Sequence, residues 1–195
     1  MKNIAIFASG SGTNAQKLIE YFSTGKTAKV KLILSNKADA FVLERARKLS
    51  VAAMVFDRDD FYKNGKVLRA LIENDIYFVV LAGFLWLVPD DILDYYRGMV
   101  VNIHPALLPA YGGKGMYGSA VHRAVIENKE SESGISIHYV NPRYDEGDII
   151  FQAKCEVRPD DSPESLAERI HRLEHRYYPR IVEKLIIEAQ NESSK

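Results

Sequence analysis

The chain has 195 residues, 47% hydrophobic and 27% charged, which excludes a disordered or fibrous protein and suits one domain burying roughly 70% of its unfolded surface. Its 26 Lys and Arg balance 26 Asp and Glu, so no net field draws in nucleic acid or an anionic membrane, and any bound anion must be held locally. The single cysteine, Cys155, excludes an internal disulfide and a cysteine-based zinc site, and no run reaches the roughly 18 apolar residues of a membrane span or forms a signal peptide; a cytoplasmic protein whose mature chain begins near Met1 is expected.

Apolar β-rich runs alternate with segments of helical period. Strands are predicted over residues 4–8, 30–35, 53–56, 77–82 and 100–103, with helices between them over 14–22, 40–49, 61–73 and 90–96. Repeated strand–helix units need crossovers that return each strand parallel to the last, so the fold class is α/β, a doubly wound, mostly parallel sheet of about seven strands. A helix over 119–128 is expected to bring a sixth strand, 134–140, back parallel. The eight residues 141–148 then leave room only for an antiparallel last strand over 149–157. Ser162 and Pro163 form a strong helix start, Pro179 is expected to kink or divide that helix, and the polar tail from Asn191 to Lys195 to fray. With no repeat or linker, residues 1–195 read as one domain.

The first strand runs into Ser9-Gly10-Ser11-Gly12-Thr13-Asn14, a small-residue turn opening a helix, whose N–H groups and dipole suit an anion. A dinucleotide fingerprint would add a third glycine and an acidic residue after the second strand, where Ser35-Asn36 stands. A Walker loop would end in Gly-Lys-Ser/Thr. Both are absent, so a lone monophosphate fits best; the bland alternative is a tight strand-to-helix turn.

Asn102 and His104 alternate around Ile103 at the end of the fifth strand, so both face the same side. This is the edge where open α/β sheets bind ligands. A sixth strand returning parallel would bring Asp145, Glu146 and Asp148 there too. An Asn donor, a His and a carboxylate suit acyl transfer to an amine: the first two stabilise the developing oxyanion, and the carboxylate keeps the imidazole charged and relays a proton. The alternative is that Asn102 and His104 merely satisfy a strand end. No covalent nucleophile is evident, Cys155 lying within a strand. His122, His171 and His175 read as solvated helix residues, His138 as part of the sixth strand, and no metal-ligand spacing exists. The apolar stretch Phe84-Leu85-Trp86-Leu87-Val88 is either core or a pocket for a flat ring.

Four motifs in order, S-G-S-G-T-N, S-N-K-A-D-A, V-V-L-A-G-F and N-I-H-P-A-L-L-P, each following a predicted strand, resemble those of the phosphoribosylglycinamide formyltransferases, a folate-dependent formyltransferase family. The resemblance covers nearly the whole chain. It implies a Rossmann-like fold and formyl transfer from 10-formyltetrahydrofolate, as co-substrate without a metal, to the amine of 5-phosphoribosylglycinamide in purine synthesis. Through H-Y-V-N-P-R-Y-D-E-G it selects Asp145 beside Asn102 and His104 as catalytic. It assigns Gly12, Thr13 and Asn14 to the phosphate, and Glu174 in L-E-H-R-Y-Y-P to the ribose. It places Leu85, Trp86, Leu87, Val88, Asn102 and Tyr144 against the folate. The implied division is a phosphate-binding half, 1–100, and a catalytic and folate-binding half, 101–195, acting as monomer or homodimer without nucleic acid or membrane. One departure stands out: residues 110–118, A-Y-G-G-K-G-M-Y-G, are longer and richer in glycine than the family's usual stretch, and a mobile lid is expected there. Rival readings are a formyltetrahydrofolate deformylase, a methionyl-tRNA formyltransferase-like enzyme, or a non-catalytic sensor of phosphorylated metabolites or folate.

Overall fold

A computed structural model describes residues 1–192. The elements are β1 (Lys2–Phe7), α1 (Thr13–Ser23), β2 (Ala28–Ser35), α2 (Phe41–Lys48), β3 (Ala52–Val55), α3 (Arg58–Tyr62), α4 (Lys66–Glu73), β4 (Ile76–Leu81), α5 (Asp90–Tyr95), β5 (Val100–His104), α6 (Ser119–Glu127), β6 (Glu132–Tyr139), β7 (Ile149–Glu156) and α7 (Pro163–Glu192). They form one seven-stranded sheet in the order β3-β2-β1-β4-β5-β6-β7. The pairs from β3 to β5 are parallel. The fold class expected from the sequence is the one observed.

Period-two alternation divides the core between the two faces. Ile4, Ile6 and Ala8 pack with Leu18, Phe22, Val42 and Tyr178, whereas Ala5 and Phe7 pack with Phe61, Val67, Leu71 and Ile92. Helices α1, α2, α6 and α7 therefore cover one face and α3, α4 and α5 the other. The chain winds outward from β1 in one direction and resumes at β4 in the other, so the crevice beyond the ends of β1 and β4 is the topological switch point, where such sheets bind ligands.

Three expectations need correction. Strand β6 returns antiparallel to β5, pairing Asn102 with His138; β7, antiparallel to β6 as expected, runs in the sense of the parallel set. The expected helix 61–73 is two helices, because Gly65 adopts φ 65 in the left-handed region and breaks the turn. Pro179 does not divide α7, which continues to Glu192. Proline removes one N–H in a long helix held by packing on both sides of it, with Tyr178, Pro179 and Val182 all buried. The Tyr178 hydroxyl donates to the Leu81 carbonyl at 2.8 Å. Asn191 lies within the last turn of α7, while residues 193–195 lie outside the described residues.

Ser162 and Ser165 cap the start of α7 reciprocally, and Asp161 accepts from both Arg169 guanidinium nitrogens at 2.8 and 2.9 Å. The Arg169 hydrogen bonds hold the Asp161 carboxyl far below the usual carboxylate range, outweighing its burial. A depressed folded pKa contributes stability that is complete above the unfolded value and lost as pH falls through the folded one. Asp161→Asn should therefore destabilise the protein by about 1–2 kcal/mol at pH 7. In chemical melts the gap from wild type should narrow below about pH 4; a gap that stays constant in acid would refute the ion pair as its source.

Candidate active site

The loop after β1 is built around contacts from three strands. The Ser9 hydroxyl donates to Asn36 after β2 at 2.7 Å and accepts from the Leu85 amide after β4 at 3.1 Å. From α2, the Val42 amide donates to Gly10 O and Arg45 Nε to Ser11 O. Gly12, at φ 72, caps α1 without a side chain, leaving the first-turn N–H groups for a ligand. Asn14 Nδ2 donates to Glu174 Oε2 at 2.8 Å. Asn14 Oδ1 is buried and, among the described residues, has no partner. Glu174 is also buried, and burial raises its pKa despite the Asn14 hydrogen bond and the His171 charge.

Across the crevice, the period-two reading of β5 holds: Asn102 and His104 face one carboxylate. His104 Nδ1 lies 3.5 Å from Asp145 Oδ2, and Asn102 Nδ2 donates to Asp145 Oδ1 at 3.5 Å. Asp145 arrives by an unexpected route. Since β6 is antiparallel and ends beside Val101, the 140–148 loop must fold back. Gly147 permits this, because a Cβ there would collide with the Tyr139 carbonyl. The Gly113 amide donates to Asp145 Oδ2 at 2.9 Å.

His104 Nε2 lies 2.7 Å from the Tyr111 carbonyl oxygen, which can only accept, so Nε2 carries a proton and Nδ1 is the nitrogen turned to Asp145. Burial lowers the His104 pKa, outweighing the opposing Asp145 charge and Tyr111 hydrogen bond. The expectation that the carboxylate keeps this imidazole charged is therefore reversed in the free protein. For Asp145 burial raises the pKa, but the His138 hydrogen bond, followed by that of the Gly113 amide, helps bring it below the usual carboxylate value. An ionised carboxylate thus faces an unprotonated Nδ1, an arrangement that lacks one proton between its two acceptors.

The two constellations share one cavity of about 610 Å³, whose wall includes Gly12, Thr13, Asn14, Glu174, Asn102, His104, Asp145 and Tyr144. Of the four apolar loop residues expected to face a ring, only Leu85 lines it. Trp86 joins the rings of Phe56, Phe61 and Tyr62 with Arg58 4.8 Å above it. Leu87 O accepts from Tyr62, and Val88 is core. The loop is thus both of the alternatives its composition allowed: Leu85 stands at the wall, Trp86 packs in an aromatic cluster outside it, and Val88 joins the core. Of the 110–118 segment, Gly113 to Gly118 line the cavity, with Tyr111 and Gly113 bonded to the polar groups as above.

Two histidines escaped the sequence reading. His138 lies opposite Asn102, its Nε2 3.1 Å from Asn102 Nδ2 and its Nδ1 2.7 Å from Tyr139 O; reading β6 as antiparallel would have found it. His122, expected to be solvated, is 4% exposed and lines the cavity. It belongs to the stripe Val121, His122, Val125 that α6 buries, a helical spacing visible in the sequence. Lys37 and Lys114 also reach the wall.

The sequence profile of the formyl transferase family matches residues 2–182. A chloroplastic phosphoribosylglycinamide formyltransferase of Arabidopsis thaliana is 39% identical over 187 residues, 93% of this chain; the chain spans only 64% of that protein's length. The phosphoribosylglycinamide formyltransferase of Bacillus subtilis is 33% identical over 191 residues, 95% of each chain. The crystal structure of the phosphoribosylglycinamide formyltransferase from Bacillus halodurans superposes with a TM-score of 0.87 at 37% identity, covering 97% of this chain and 98% of its own. This chain belongs to the formyl transferase family.

Proposed function

We propose that the chain transfers a formyl group from 10-formyltetrahydrofolate to the amine of 5-phosphoribosylglycinamide. The observation that carries this reading is the opening of an anion-type loop and an Asn–His–Asp constellation into one cavity. The phosphate lies on the Gly12, Thr13 and Asn14 backbone, the ribose against Glu174, and the amine at Asn102 and His104. Leu85 and Tyr144 flank the flat ring of the folate, with Trp86, Leu87 and Val88 supporting that loop from behind. Residues 1–100 thus supply the phosphate loop and 101–195 the catalytic groups. No helix among the described residues is long and apolar enough to cross a membrane, and a cytoplasmic setting suits both substrates.

The transfer is direct. As the amine nitrogen bonds to the formyl carbon, the C=O π pair moves to oxygen, and Asn102 Nδ2–H turns to that oxygen from its long contact with Asp145. The amine's proton enters the gap between His104 Nδ1 and Asp145 Oδ2. The imidazolium so formed stabilises the oxyanion. Return of the proton to the leaving nitrogen accompanies cleavage of its bond to carbon, which releases tetrahydrofolate.

The test is a turnover assay with 10-formyltetrahydrofolate and glycinamide ribonucleotide, with water and methionyl-tRNA as competing acceptors. Transfer to either competitor in preference would overturn the assignment. Asn14→Ala should weaken the phosphorylated substrate about tenfold, because it removes a polar cavity group and releases Glu174, yet leave folate affinity unchanged. Calorimetry with each ligand separately checks this; a change in folate affinity would count against the placement.

A further inference from the structure

We propose that His122 is a specificity residue for the sugar of the phosphorylated substrate, donating a hydrogen bond from Nε2 to an uncharged ribosyl oxygen. The inference rests on the function proposed above and extends it to a residue outside the Asn102–His104–Asp145 group and the phosphate loop.

His122 is 4% exposed, yet it lines the cavity. Its Nδ1 is buried without a partner among the described residues, whereas Nε2, unpaired and not among the buried atoms, is the nitrogen left to the cavity. A buried orphan acceptor costs less than a buried orphan N–H, so the proton belongs on Nε2 and Nδ1 keeps its lone pair. Charging the ring would put a second N–H on Nδ1 with nothing to accept it. Burial, reinforced by the nearby His171, lowers the His122 pKa to about 4. The ring is therefore a neutral donor at pH 7, unsuited to holding a phosphate as a cation and suited to a hydroxyl or ether oxygen.

Its position agrees with its chemistry. His122 lines one cavity with His104 of the catalytic group and with His171 and Glu174, one turn apart on α7. A substrate with its phosphate at Asn14 and its amine at His104 must pass its sugar along this wall. Asn14 and Glu174 hold each other, and His122 is a buried donor on that wall with no protein partner among the described residues.

The test is calorimetry on the full chain with ribose 5-phosphate and, separately, inorganic phosphate. His122→Phe, which keeps the ring volume but no donor, should weaken ribose 5-phosphate about tenfold and leave inorganic phosphate unchanged. His122→Gln, whose amide nitrogen can approach the Nε2 position, should recover most of that loss. Equal weakening of both probes, or no weakening of either, would overturn the proposal. Nitrogen NMR of the unaltered protein requires no variant: the His122 ring should be the Nε2-protonated tautomer, and its Nε2 signal should move with ribose 5-phosphate but not with phosphate. An Nδ1-protonated ring or an unmoved signal also overturns it. Turnover of the unaltered protein with glycinamide ribonucleotide tests the underlying function separately, so a failure there is distinguishable from a failure at His122.

Discussion

Replacing His104 with alanine should lower turnover at least about 100-fold while leaving the affinity of each substrate within a few-fold. The split follows from where the ring's atoms point. Nε2 is committed to the Tyr111 carbonyl, and Nδ1 faces Asp145 rather than either substrate's distal groups. What the ring supplies is a place for a proton at Nδ1 and, once protonated, positive charge beside the oxyanion, and both matter chiefly in the transition state. Alanine leaves Asp145 held by the Gly113 amide and Asn102, so the carboxylate keeps its position. The phosphate loop, on the other side of the cavity, is untouched. Equal losses in affinity and turnover would mean that His104 acts by shaping the cavity or anchoring the 110–118 segment, and the proton path through Nδ1 would be abandoned.

That path was only partly legible in the sequence. Asn102 and His104 share a side because strand side chains repeat every two residues, a rule that needs no tertiary information. The parallel core was equally readable, since strands buried on both faces appear as continuous apolar runs such as Ile4-Ala5-Ile6-Phe7. The direction of β6 was not: a helix and two turns between β5 and β6 can return the chain either way, and local pattern does not decide between them. His138 was lost with that direction, and Asp145 was separable from Glu146 and Asp148 only through resemblance to a family. His122 was lost for another reason. Arg123 follows it directly, but a helix sorts side chains by spacing, and His122 shares its face with Val121 and Val125. In the 84–88 loop, composition offered core or pocket wall but could not assign individual residues to either.

The two glycines of the first loop look alike in sequence, and their replacement should separate them sharply. A Cβ at Gly12 would lie 2.5 Å from Val42 Cγ2 and 2.8 Å from Val42 Cα, on a backbone at φ 72. The close approach to Cα involves main chain, so no rotamer change relieves it. Adding the strain of a left-handed alanine to that of overpacking, Gly12→Ala should cost about 2–4 kcal/mol. It should also reduce phosphate affinity at least about tenfold, because α1 must shift away from α2 and carry its first-turn N–H groups with it. At Gly10 an added Cβ meets nothing within 4 Å, and Gly10→Ala should change stability by no more than about 0.5 kcal/mol. Thermal melts and phosphate calorimetry on the pair decide the matter. If both substitutions behave alike, the loop needs glycine only for its turn, and the contact between Gly12 and Val42 does not set the anion site. If only Gly12→Ala fails, the site is positioned by packing α1 closely against α2, which makes an apolar residue of α2 a determinant of how the protein holds a phosphate it never touches.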